Sequence, residues 1–258
     1  MIPVRNLALV LGVAVVRPLC LGGAWWGGGV LAAGSVVAAL LAPDGVWAAL
    51  LVAPWVGLVT WRLVDRAIAR DALGVVNVGF GVVAALALVA SRAQFTAFGI
   101  VEPIVKLTAL HFSYAGVGTF WLARKLLEPA PSSTVRQVTV GLVGVAPVVV
   151  ALGFLTRLAT LQVGGAVLMT LGAWAVAALG LLEVRALPGW PRVLLVVSSS
   201  CPWGSMVLAV GWAMANSWPS VPALTVVDMV PTHGALNAFG FVGCGVVART
   251  LASRRAQG

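Results

Sequence analysis

Long apolar stretches, separated by short segments that carry arginine, lysine or proline, are the feature that most constrains this fold. About 20 apolar residues suffice for a helix to cross the hydrocarbon core of a bilayer. Of the 258 residues, 61% are hydrophobic and 9% are charged, whereas a soluble domain has roughly 25% charged residues. A chain of this length cannot bury so much apolar surface in its own core. The sequence therefore predicts an all-α, polytopic transmembrane helix bundle.

Charged residues and prolines divide the chain into eight predicted spans within one integral-membrane helical domain, residues 1–258. The predicted spans are 19–42, 46–63, 72–91, 101–123, 137–155, 160–183, 191–215 and 222–249. Seven spans is the alternative, because the glycines at 22–23 and 27–29 can interrupt the first one. Residues 6–16 are then a short interfacial helix or the first half of a broken span.

The basic residues are concentrated in alternate loops. They are Arg5 and Arg17; Arg62, Arg66 and Arg70; Arg124, Lys125 and Arg136; Arg185 and Arg192; and Arg249, Arg254 and Arg255. With eight spans these groups all lie on one side, which is typically the cytoplasmic side. We therefore predict a multi-pass membrane protein with both termini cytoplasmic. No dense basic run is present, so we expect no nucleic-acid partner.

Two polar clusters interrupt the apolar pattern. The first contains Glu102, Pro103, Lys106, His111, Phe112, Ser113 and Tyr114, and the second contains Asp228, Pro231, Thr232, His233 and Asn237. Both histidines and the only tyrosine of the chain are among them. Ionisable groups at membrane depth are energetically costly, so such clusters indicate a functional site.

The two acids lie close to prolines. Glu102 directly precedes Pro103, and Asp228 lies three residues before Pro231. Because proline suits the first turn of a helix, each acid is expected near a helix start, where the macrodipole favours the ionised form. An apolar surrounding has the opposite effect and raises the pKa of a carboxyl group. The sequence leaves open whether the acids face one cavity, or act as caps or in an ion pair between Glu102 and Lys106.

The histidines have polar neighbours at helical spacing. His111 has Thr108 and Tyr114 within one turn, and His233 shares a helix face with Asn237. Such neighbours can orient an imidazole for proton transfer or can simply hydrogen-bond between helices. Two histidines and two acids are enough to bind a metal. However, neither H-x-x-x-H nor E-x-x-H spacing occurs, so we expect no metal and no cofactor.

Eleven tryptophans are present, and those near predicted span ends are expected to anchor the protein at the membrane interface. Others lie nearer the centres or inner ends of spans, namely Trp55, Trp61, Trp121, Trp174, Trp203 and Trp212. Some of these are candidates for the wall of an internal cavity, where an indole face attracts a cation. Lipid contact and ordinary packing are the alternative.

Two segments resemble a known family. Residues 107–116 (LTALHFSYAG) resemble the histidine segment of the YndJ-like family of bacterial membrane proteins, and residues 232–241 (THGALNAFGF) resemble its second segment. Some relatives look like integral-membrane terpene cyclases that act on indole sesquiterpenoids and other meroterpenoids. The resemblance implies a location in the bacterial plasma membrane. It also implies an acidic residue as the proton donor to an epoxide or an alkene.

Together with the two polar clusters, the resemblance implies a membrane terpene cyclase that converts a lipophilic prenylated aromatic substrate into a polycycle without redox change. A dry intramembrane cavity suits this chemistry, because water would quench the carbocation. No aspartate-rich diphosphate motif is present, which favours protonation over diphosphate ionisation. The predicted catalytic residues are Asp228, Glu102, His111 and His233. The predicted substrate-binding residues are Tyr114, Asn237, Lys106, Phe112 and Trp121. The alternatives are a small proton-coupled transporter, a lipid- or ligand-binding membrane protein, or a structural subunit.

Overall fold

The structure is a computed structural model that describes residues 4–16, 20, 26–64, 71–96, 99–218, 220–222 and 224–255. Within these ranges the regular secondary structure is entirely helical, with no strand. The predicted all-α fold is therefore confirmed. Among the residues used above, Arg17, Arg66, Arg70 and the glycines at 22–23 lie outside the described ranges.

The chain divides into two compact units, Met1–Gly118 and Thr119–Gly258. Unit 1 begins with α1 (Val4–Leu11), which is followed by a π-helical turn at Gly12–Val16. Its other helices are α2 (Trp26–Leu41), α3 (Val46–Val64), α4 (Ala72–Arg92) and α5 (Ile104–His111), which is followed by the π-helical segment Phe112–Gly118.

The core of unit 1 includes the N-terminal helix. Leu9 and Val13 are fully buried, and the Tyr114 hydroxyl donates a 2.7 Å hydrogen bond to the Ala8 carbonyl. A Cβ atom on Gly12 would lie 3.3 Å from the Tyr114 ring. The residues that the sequence assigns to an interfacial helix or half-span therefore pack against the helix that carries the first polar cluster.

Unit 2 contains α6 (Thr119–Leu127), α7 (Thr134–Thr156), α8 (Ala159–Glu183), α9 (Trp190–Ser217) and α10 (Val226–Arg255). Helix α8 ends in a 3-10 turn at Val184–Ala186. Helix α10 contains two π-helical segments, Val230–Gly234 and Leu236–Gly243, before the regular helix Cys244–Arg255.

Glycines allow α7 and α8 to approach closely. A Cβ atom at Gly153 would lie 2.5 Å from the Gln162 backbone nitrogen, and one at Gly165 would lie 2.7 Å from that of Val150. Small residues at helix contacts are the usual way for membrane helices to gain packing energy. A hydrogen bond of 2.7 Å between the Asn216 and Gln162 side chains ties α9 to the same pair.

Many hydroxyl side chains bond within their own helix. Such bonds to the carbonyl four residues earlier are made by Thr60, Thr108, Ser113, Thr139, Thr156, Thr170, Ser200, Ser217, Thr232 and Thr250. Because hydrocarbon offers no hydrogen-bonding partner, these internal bonds let polar residues occupy apolar helices.

Six helices are long and apolar enough to cross a membrane: Val46–Val64, Ala72–Arg92, Thr134–Thr156, Ala159–Ala186, Trp190–Ser217 and Val226–Arg255. They correspond to the second, third and fifth to eighth predicted spans, and they indicate a multi-pass membrane protein. In the part of the chain that the structure describes, the first predicted span appears as the shorter helix α2, with 16 residues. The fourth is helical, but its polar residues lower its hydropathy. The eight-span count stays a prediction.

Ion pairs connect the helix ends of unit 2 that carry basic residues. Glu183 lies 3.2 Å from Arg136 and 2.9 Å from Arg249, and Arg136 also donates to the Leu126 carbonyl. Nearby in the chain, Arg255 donates to the Pro188 carbonyl at 3.3 Å. The ends of α6, α8 and α10 and the starts of α7 and α9 therefore lie at one end of this unit. We call it the arginine end.

Candidate functional site

The second polar cluster begins at the first turn of α10. Thr225 caps this helix, since its hydroxyl oxygen accepts the Asp228 backbone N–H at 3.3 Å, and threonine is a favoured cap. The same hydroxyl donates to the Asp228 carboxylate at 2.6 Å. Asp228 thus lies in the first turn, where a negative charge is stabilised by the helix dipole. Its side chain is exposed.

The next turns of α10 are π-helical, through Val230–Gly234 and Leu236–Gly243. Glycine is a weak α-helix former, and Gly234, Gly240 and Gly243 fall in these turns. A Cβ atom at Gly240 would lie only 2.3 Å from the Cys201 sulfur of α9, so the absent side chain allows the two helices to meet. Short π-helical insertions are rare and are frequent at functional sites.

His233 lies in the first of these π-helical turns and contacts α9. Its Nδ1 atom is 2.8 Å from the backbone carbonyl oxygen of Ser205. A carbonyl can only accept, so this contact requires a proton on Nδ1. In the neutral imidazole, Nε2 is then the nitrogen that accepts a proton. This arrangement fixes both the tautomer and the orientation of the ring.

Asn237 completes the network. Its amide nitrogen donates to the His233 carbonyl at 2.8 Å, and its amide oxygen accepts the Ser205 hydroxyl at 3.2 Å. The amide nitrogen also lies 3.2 Å from His233 Nδ1. Because Nδ1 already donates to Ser205, we read this last contact as close approach, not as a second hydrogen bond. We call His233, Asn237 and Ser205 the His233 network.

The first polar cluster is arranged differently. Glu102 is exposed and precedes α5, whereas Lys106 and His111 are partly buried on that helix. Ring centroids of His111 and Phe112 are 6.1 Å apart in an edge-to-face arrangement. The segment Phe112–Gly118 that follows is π-helical. Both segments that resemble the family in sequence therefore contain π-helical turns, which the sequence analysis did not anticipate.

Three predicted substrate-binding residues are part of the packed cores. Phe112 lies against Phe80 with ring centroids 5.9 Å apart, and Tyr114 is held by the Ala8 carbonyl. In unit 2, Trp121 is buried and the Lys125 amine lies 5.5 Å from its ring centroid. In the described ranges these side chains act as packing contacts, and their predicted role toward a substrate stays a prediction.

Most of the inner tryptophans have packing contacts. Trp174 and Trp203 stack with ring centroids 5.6 Å apart, and the Trp174 indole N–H donates to the Pro202 carbonyl. Trp212 stacks on Phe154 at 5.9 Å. Trp55 is fully buried, whereas Trp61 is exposed. The contacts of Trp174, Trp203 and Trp212 are those of packed side chains, and a role of any inner tryptophan in a cavity wall stays a prediction.

The structure brings His233 and Asn237 together with Ser205, a residue that the sequence analysis missed. The only signal was a serine at an otherwise apolar position of the seventh predicted span. The two polar clusters fall in different units, so their meeting in one chamber stays a prediction. Among the residues whose placement is described, no group of three or more His, Cys, Asp or Glu side chains could hold a metal ion.

The fold and site define an all-helical, multi-pass membrane protein with an ordered imidazole in an irregular helix. A sequence model of the YndJ-like protein family matches residues 7–241, and the chain belongs to this family. No match was found among curated proteins or among solved structures.

Proposed function

We propose that this YndJ-like protein is a membrane-embedded terpene cyclase acting on a prenylated aromatic substrate such as an indole sesquiterpenoid. The observation that carries the proposal is the oriented His233 imidazole, with Nδ1 on the Ser205 carbonyl. A histidine held in one tautomer presents Nε2 as a proton acceptor. A cyclisation through a carbocation needs such a base for its last step. The substrate class rests on the sequence resemblance of the two polar segments.

The proposed reaction is a redox-neutral isomerisation. An acid protonates the epoxide oxygen, the carbon–oxygen bond breaks, and alkene electron pairs close the rings onto the resulting cation. Loss of a proton from a carbon next to the final cation to His233 Nε2 forms the product alkene. Transfer of that proton back to the acid, directly or through water, closes the cycle, and substrate and product have equal mass.

Asp228 and Glu102 are the proposed acids. Both are exposed on the protein surface, whereas the chemistry favours a carboxyl group kept neutral by burial. In the proposal, a bound prenyl chain covers the acid and supplies the apolar surrounding. Asp228 is the better candidate of the two, because it lies five residues from His233 on the same helix.

The test is turnover by the purified, reconstituted full chain with an epoxyfarnesyl-indole, followed by mass spectrometry for an isomeric product. His233→Asn retains an amide donor for the Ser205 carbonyl but removes Nε2, so turnover is expected to fall by roughly 10²-fold or more. In Asp228→Asn and in Glu102→Gln, turnover is expected to fall by a similar factor if the replaced residue acts as the acid.

Glu128→Gln is the matched control, because Glu128 is an exposed carboxylate between α6 and α7 and has no proposed role. Its turnover should equal that of the unmodified chain. Equal turnover in the His233, Asp228 and Glu102 variants would remove the proposed roles from all three residues. Absence of any isomer with several prenyl-aromatic substrates would remove the cyclase proposal itself.

A proton-coupled transporter is the second candidate, and the exposure of Asp228 and Glu102 is what favours it. Exposed carboxylates exchange protons with water directly, and intramembrane acids and histidines form proton paths in transporters. In liposomes with an imposed pH gradient, a transporter would show substrate-dependent proton flux that His233→Asn removes. A cyclase would show product formation without such flux.

A further inference from the structure

The arginine end of unit 2 carries an excess of positive charge that its own acids do not neutralise. Residues 119–258 contain only three acids, Glu128, Glu183 and Asp228. Glu183 binds Arg136 and Arg249, Glu128 binds Lys125, and Asp228 lies at the opposite end of α10. Four further arginines at this end are exposed, namely Arg185, Arg192, Arg254 and Arg255.

Three of these arginines belong to segments that meet at the turn between α8 and α9. Arg185 lies in the 3-10 turn at Val184–Ala186, and Arg192 lies in the first turn of α9. Arg255, at the end of α10, reaches the same turn by donating to the Pro188 carbonyl. Its guanidinium lies 3.5 Å from the position of a Cβ atom on Gly189, whose φ of +62° favours glycine. The turn and the C-terminal end of α10 therefore form one cationic surface.

Exposed apolar side chains border this cationic surface. Trp190, between Arg185 and Arg192, is 70% exposed, and Leu182 is 75% exposed. Tryptophan is enriched at the level of lipid headgroups, so we expect the arginines at headgroup depth and Leu182 toward the acyl chains. The arginines can therefore contact the charged headgroup of a phospholipid while the apolar side chains contact its acyl chains.

We propose that Arg185, Arg192 and Arg255 bind the phosphate of an anionic phospholipid headgroup, with Trp190 at the interface. Guanidinium groups bind phosphate oxygens through paired, charge-assisted hydrogen bonds. Such a site also holds this end of the protein on the cytoplasmic leaflet, where anionic lipids provide the negative surface. The proposal does not depend on the cyclase reaction.

The experiment measures thermal unfolding of the full chain in a neutral detergent with increasing short-chain phosphatidylglycerol. A ligand that binds only the folded state raises the unfolding temperature with concentration. Phosphatidylglycerol is expected to raise it and phosphatidylcholine is not. Arg185→Gln and Arg192→Gln should each shift the half-maximal lipid concentration upward by about fivefold, the typical contribution of one cation at an anionic surface.

Arg157→Gln is the matched control. Arg157 is an exposed arginine between α7 and α8, at the other end of unit 2, so this variant should respond like the unmodified chain. The proposal would be overturned if Arg157→Gln raised the half-maximal lipid concentration as much as Arg185→Gln does. It would also be overturned if phosphatidylcholine raised the unfolding temperature as much as phosphatidylglycerol does.

Two further experiments use the unmodified chain, so their results do not depend on whether a variant folds correctly. At 1 M salt, where the screening length falls to about 3 Å, the preference for phosphatidylglycerol should be lost. Inorganic phosphate at the same concentration should have no effect. If it reproduces the whole stabilisation, the site recognises a soluble phosphate and the lipid proposal fails.

Discussion

At the scale of single residues, the His233 network is the most informative arrangement in the molecule. Its three members come from two helices, and Ser205 and Asn237 are 32 residues apart in the chain. The sequence predicted that His233 and Asn237 share a face, because four residues make about one helical turn. It could not predict the Ser205 contact, because hydropathy does not indicate which faces of two apolar helices meet.

Removal of the Asn237 amide tests the network. Asn237→Ala deletes the donor to the His233 carbonyl and the acceptor of the Ser205 hydroxyl. We therefore expect the free energy of unfolding to fall by about 0.5–1.5 kcal/mol, the usual range for interhelical hydrogen bonds in membranes. The measurement is reversible unfolding in mixed micelles. Ser200→Ala is the control, because Ser200 is exposed and bonds only within its own helix. Equal stability of the two variants would show that the network contributes nothing.

At the scale of helices, the sequence predicted the membrane spans well where long apolar stretches are bounded by charged residues. Predicted span 46–63 corresponds to Val46–Val64, and predicted span 72–91 to Ala72–Arg92. Boundaries are marked by charges such as Arg62 and Arg92, which cannot be left in hydrocarbon without partners. The π-helical turns were missed, because a shift from four-residue to five-residue hydrogen bonding leaves no clear periodic signal in so apolar a sequence.

The glycines between α7 and α8 allow a matched comparison. In Gly165→Ala the new methyl group would lie 2.7 Å from the Val150 backbone nitrogen, so the helices must separate, at a cost of roughly 1–3 kcal/mol. Gly164→Ala has no atom within 4 Å and should be neutral or slightly stabilising. Thermal unfolding of both variants in one detergent tests this. A Gly165→Ala protein as stable as Gly164→Ala would contradict the described packing.

At the scale of the whole molecule, the multi-pass character follows from six apolar helices, and the orientation stays a prediction from the distribution of basic residues. The basic ends of α6, α8 and α10 converge at the arginine end of unit 2, although the sequence only indicated that they share a side. Whether the two polar clusters meet could not be deduced from hydropathy. It depends on which helix faces pack, as in the Tyr114 bond to Ala8, 106 residues away.

Reporter fusions test the predicted orientation. A C-terminal green fluorescent protein should fluoresce in a bacterial host, and alkaline phosphatase at the same position should be inactive, because both termini are predicted to be cytoplasmic. Phosphatase fused after Arg157 should be active, since that loop is predicted on the opposite side. The reverse pattern of activities would invert the topology and place the arginine end outside the cytoplasm.

The stacked indoles of Trp174 and Trp203 should give a circular dichroism signal that reports on the packing of α8 against α9. Two rings 5.6 Å apart and inclined by 26° are close enough for their electronic transitions to couple. The pair should therefore produce a paired positive and negative band in circular dichroism, which Trp203→Phe would abolish. Because one indole belongs to α8 and the other to α9, the intensity of that signal would follow the registry of the two helices in real time without any attached dye.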